Sequence, residues 1–72
     1  LEVSLYPNPV KDILNVTAAT EIKSVEIYNL QGQKVKMSSQ KQVSVSDLAK
    51  GIYFVKSQDI NNAISTQKIV KE

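Results

Sequence analysis

Seventy-two residues make one small domain, and a chain of that length buries only about 60% of its unfolded surface, so its stability is modest. It has no Cys and no His, which excludes disulfide staples and ordinary zinc sites. All nine basic residues are Lys, interspersed with seven acidic ones; without an Arg fork for phosphates or guanine edges, the charge pattern argues against nucleic-acid binding.

Leu1 to Leu5 alternates Leu1, Val3, Leu5 with Glu2, Ser4, the pattern of a half-buried strand. Leu1-Glu2-Val3 reads as the middle of a longer chain, so the domain, residues 1–72, is expected to be a fragment of a larger secreted protein. No signal peptide opens it. Tyr6-Pro7-Asn8-Pro9 ends the strand, because Pro cannot donate to a ladder and is confined to edges. Asn8, before Pro9, is held extended. Ile13 to Thr17 is the next strand, with Leu14 and Val16 on one face. A loop over Ala18 to Glu21 leads to a strand over Ile22 to Tyr28, with Val25 and Ile27 inward and Ser24, Glu26 and Tyr28 outward.

Asn29 to Gln33 is a hairpin turn in which Gly32 takes the left-handed position of a G1 bulge. Lys34 to Ser38 returns as a strand, with Val35 and Met37 on one face. Val43 to Val45 is a brief strand. The spacing Leu48, Gly51, Tyr53 is that of a tyrosine corner, in which the phenol bonds back to backbone a few residues upstream. Gly51 supplies a backbone position where a side chain does not fit. Ile52 to Val55 is dense in β-branched and aromatic residues and is expected as a central strand; it is far too short to span a bilayer. Ser57 to Asn62 reads as a turn, and Ala63 to Lys71 as the last strand, paired with Gly51 to Gln58. About seven short strands with regular turn signals predict an all-β, antiparallel sandwich.

Candidate chemistry is sparse. No His can activate a Ser. Asp12, Glu21, Glu26, Asp47 and Asp59 are scattered, and none forms the spaced acidic loop of a calcium site. The expectation is a non-enzymatic domain with no metal and no cofactor, whose carboxylates keep the surface soluble and blunt sheet edges. Tyr6, Tyr28 and Phe54 could line a sugar-binding face, but cross-strand packing explains them more simply.

The order of motifs carries more than any one of them. Leu5-Tyr6-Pro7-Asn8-Pro9-Val10, Asp12, Val25-Glu26-Ile27-Tyr28-Asn29, Gly32-Gln33, Leu48-Ala49-Lys50-Gly51-Ile52-Tyr53-Phe54-Val55 and Lys68-Ile69-Val70-Lys71 together resemble the C-terminal sorting domain of type IX secretion cargo in Bacteroidetes. That resemblance implies an immunoglobulin-like sandwich and a signal that takes attached cargo across the outer membrane to the medium or the cell surface. It implies, as partners, an N-terminal cargo domain, translocon components, and a sortase-like cysteine peptidase that removes the domain. Cargo is then released or attached to lipopolysaccharide. Glu72 stands where the family often ends in Lys or Arg.

Recognition is expected at Lys68, Ile69, Val70, Lys71 and Glu72, because an exposed terminal strand can be read by strand addition. Lys68 and Lys71 lie on opposite pleats; edge protection is the plainer role for both. Pro7, Asn8, Pro9, Asp12, Gly32, Leu48, Gly51 and Tyr53 are expected to build the fold. The competing function is an Ig-like stalk or carbohydrate-binding module, since sandwiches host many functions.

Overall fold

The computed structural model describes all residues from Leu1 to Glu72. Seven strands form: β1 (Val3–Tyr6), β2 (Ile13–Ala18), β3 (Ile22–Tyr28), β4 (Lys34–Ser38), β5 (Gln42–Ser44), β6 (Gly51–Asp59) and β7 (Ile64–Lys71). All pairings between them are antiparallel. One sheet has the order β1-β2-β5 and the other β4-β3-β6-β7. The two pack as an immunoglobulin-like sandwich.

Period-two alternation builds the core between the sheets. Leu14, Val16 and Val43 face inward from the three-stranded sheet; Val25, Ile27, Tyr53, Val55 and Ile69 meet them from the other, with Val10 and Val45 closing the ends. Ile22 is also buried although it breaks the parity of Val25 and Ile27. A bulge between Ile22 and Ser24 resets the register and turns it inward. Removing a Val, Leu or Ile side chain from water stabilises by about 1.5–3 kcal/mol, and these residues supply most of that gain.

Two expectations change, and one face that the sequence does not assign proves to be exposed. Ser57 to Asp59 is strand, not turn, and only 60–63 form the loop, so the last strand begins at Ile64 and not at Ala63. Ser57 pairs with Val25 on one side and Ser65 on the other, so two neighbouring ladders override the turn preference of polar residues. Asp59 is 3% exposed and does not keep the surface soluble. Val35 and Met37 are both exposed; a register shift beside Ile27 and Tyr28 falls opposite Val35 and twists this edge strand.

The two hairpins of the larger sheet share one construction. Asn29 N donates to Gln33 O, Gly32 N donates to Asn29 O, and Asn29 Oδ1 accepts from the amides of Gln31 and Gln33. Asp59 N donates to Ala63 O, Asn62 N donates to Asp59 O, and Asp59 Oδ1 accepts from the amides of Asn61 and Ala63. The fourth residue is left-handed in both, Gly32 at φ +83° and Asn62 at φ +67°. Gly and Asn are the residues that tolerate this conformation.

Candidate functional site

The tyrosine corner sets the start of β6. Leu48 N donates to Val45 O at 3.0 Å, and the half-buried Leu48 packs on the core. Tyr53 is 8% exposed, and its hydroxyl donates to Ala49 O at 2.7 Å. Gly51 has φ +151°, a conformation that L side chains rarely adopt. A Cβ there would meet no atom within 4 Å, so backbone conformation, not lack of space, selects glycine. Asp12 holds the same end through its backbone, its carbonyl accepting from Val45 N at 2.7 Å. Asp47 lies beside Lys36 Nζ at 2.6 Å, which lowers its carboxyl below the usual aspartate value.

This corner delivers β6 as a central strand, and β6 carries β7 along its length, from Gly51 opposite Lys71 to Gln58 opposite Ile64. β7 is the outer strand of its sheet. Its inward pleat holds Ile69, fully buried, and Lys71, 8% exposed. Lys71 Nζ donates to Glu72 O at 2.7 Å. Lys68, Val70 and Glu72 are exposed. The five candidate recognition residues are therefore divided: three offer side chains to solvent, and two support the fold. Pleating separates the two lysines, but only Lys68 is a surface residue.

The outer edge of β7 is partly covered by the segment after β1. Asn8 Oδ1 accepts from Val70 N at 3.0 Å, and Asn8 Nδ2 reaches Lys68 O at 3.5 Å. Val10 N donates to Val70 O and Glu72 N donates to Val10 O, both at 2.8 Å. Val10 thus bridges Lys71 in parallel. Pro7 and Pro9 flank Asn8, each after a cis peptide bond, and carry this segment out of the sheet. Sequence reasoning missed the cover, because nothing local links Asn8 to Val70. The presence of Asn between two prolines was the one available signal.

Other candidate features disperse. Tyr6 lies opposite Asn15 in the three-stranded sheet, whereas Tyr28 lies opposite Phe54 in the four-stranded one, so the three rings form no single sugar-binding face. Tyr28 donates to Glu26 Oε1 at 2.8 Å, and Glu26 also pairs with Lys34 at 3.0 Å and Lys56 at 3.9 Å. The bonds from Lys34 and Tyr28 hold the Glu26 carboxyl below its ordinary value. No three acidic side chains approach closely enough to hold a metal ion.

The profile of the family described as "Secretion system C-terminal sorting domain" matches residues 4–72. The chain belongs to this family. The sorting domain therefore marks type IX secretion cargo for passage across the outer membrane, to the cell surface or the extracellular space. No curated protein matches the chain. The match spans β1 to β7, so the ordered motifs from Leu5 to Lys71 and the sandwich coincide in one unit.

Proposed function

We propose that this sorting domain is a non-catalytic tail of a larger secreted protein, read by translocon components through its C-terminal strand. The observation that carries this is the family match over residues 4–72. A translocon must accept one tag on many cargoes, and backbone and shape recognition of an edge strand suits that need. Lys68, Val70 and Glu72 offer exposed side chains beside the edge, while Ile69 and Lys71 hold the strand in place. A sortase-like cysteine peptidase then separates tail from cargo, and the cargo is released or attached to lipopolysaccharide.

The test is a fusion. Residues 1–72 are joined behind a signal peptide and a fluorescent protein in a type IX-competent bacterium. The fusion is expected in the medium or on the cell surface. A companion lacking these residues is expected to remain in the periplasm.

A further inference from the structure

In β7 the amide and carbonyl of each even-numbered residue point away from β6. This follows from Val70, whose amide and carbonyl serve Asn8 and Val10, and from the alternation of bonded and non-bonded pairs in an antiparallel ladder. Ile64 and Thr66 therefore direct both backbone groups outward, and Lys68 directs its amide. None of these five groups has a partner, although Lys68 O, Val70 and Glu72 on the same edge are satisfied by Asn8 and Val10. Ile64, Thr66 and Lys68 are exposed. The edge is thus half closed and half open, with a sharp boundary at Lys68.

We propose that the open half, Ile64 to Lys68, docks an extended polypeptide segment of the secretion machinery by strand addition. This rests on the sorting reading and names the surface that is read. Backbone groups in strand register specify a strand as the occupant, because they alternate donor and acceptor at strand spacing. The closed half shows what fits: Val10 already occupies it in strand fashion, bridging Lys71 in parallel. It also fixes the register, because Asn8 and Val10 block any strand from sliding past Lys68. Proteins blunt unused edges with prolines or charges; Ile64 to Gln67 contains neither, and the one charge of the open half, Lys68, stands at its boundary with the closed half. Recognition through five backbone groups is indifferent to side-chain identity, as one tag on many cargoes requires.

Proline separates this docking from folding. Thr66→Pro removes an outward amide that serves no bond within the domain, and Pro is tolerated on an edge strand where its missing N–H faces solvent. Thr66→Val keeps the amide and the β-branch. In the fluorescent fusion, the Thr66→Pro domain is expected to fold, and its surface signal to fall to that of a fusion without the domain. Thr66→Val is expected to export like wild type. Ile64→Pro, at the first strand residue, is the second variant and is expected to behave like Thr66→Pro. Export of a folded Thr66→Pro or Ile64→Pro fusion overturns the proposal. Unfolding of both variants overturns it too, since it shows that these amides are not free. A dimeric wild-type domain that becomes monomeric in Thr66→Pro assigns the edge to a second copy, and also overturns it. Retention of the wild-type fusion is a different result: it removes the sorting reading itself.

Discussion

Asn8 bonds to the backbone of Val70 across 62 residues, its Oδ1 accepting from Val70 N at 3.0 Å. A side-chain amide here does the work of a strand residue, closing one end of an edge whose other end stays open. Asn8→Ala removes this bond and the contact to Lys68 O. One net hydrogen bond contributes about 0.5–1.5 kcal/mol, and exposure puts this pair near the lower end. The Val70 amide is expected to exchange with solvent faster in the variant, while the Tyr53 amide changes only with global stability. Unchanged protection at Val70 would remove Asn8 from the edge.

Much of the fold is legible because its signals are local. Ile22 to Tyr28 and Lys34 to Ser38 have the bounds that alternation and Gly32 predict. Tyr53 and Gly51 mark their corner by spacing alone. What escapes is set by distant neighbours. Ser57, Gln58 and Asp59 read as a turn because their side chains are polar, yet their backbones lie between two ladders. The burial of Lys71 depends on its inward pleat and on the bridge from Val10, and the cover over β7 on Asn8. The candidate site is therefore legible as an edge strand, but not as an edge with a closed half.

Tyr53→Phe keeps the ring in the core and removes only the bond to Ala49 O. It is expected to destabilise by about 1 kcal/mol. Tyr53→Ala is expected to cost about 3–5 kcal/mol and leave so small a domain largely unfolded. Chemical denaturation measures both. A Phe variant melting with wild type would deny the corner any role in stability.

The paired hairpins predict paired behaviour. Gly32→Val and Asn62→Val each force a β-branched residue into a left-handed backbone, at a cost of at least about 1–2 kcal/mol. Gly32→Asn, which copies the other hairpin, is expected to cost less than Gly32→Val. Equal losses for Asn and Val at position 32 would contradict the shared construction.

Acid should weaken the β6–β7 hairpin. The Thr20 hydroxyl, donating to Asp59 Oδ2 at 2.7 Å, and the amides of Ala63 and Asn61 hold the Asp59 carboxyl below its ordinary value of 3.8, against the opposing effect of burial. The unfolded chain then binds the proton at higher pH than the folded one. Asp59 therefore contributes its stability above the ordinary aspartate value, and that contribution is lost as pH falls through the lower folded value. Asp59→Asn is expected to flatten this part of the acid limb in a series of melts. Glu26, lowered by its bonds from Lys34 and Tyr28, and Asp47, lowered by its bond from Lys36, lose part of the lysine share in added salt. An acid limb identical in Asp59→Asn and wild type would contradict this assignment.

The lysines of β7 differ. Lys68→Gln changes an exposed residue and is expected to shift stability by no more than about 0.5 kcal/mol. Lys71→Gln alters a buried stem and its bond to Glu72 O, so it should lower Tm more. The single Lys68→Gln variant is thus the clean probe of charge recognition on this strand. Equal melting of the two variants would contradict the burial of Lys71.

Export of the fluorescent fusion tests the central claim most directly. In a type IX-competent bacterium, residues 1–72 behind a signal peptide and a fluorescent protein should carry the fluorescence to the medium or cell surface, and deletion of the translocon should hold it in the periplasm. A folded fusion that stays in the periplasm of a strain exporting its own cargo, or that leaves the cell without the translocon, would contradict the account.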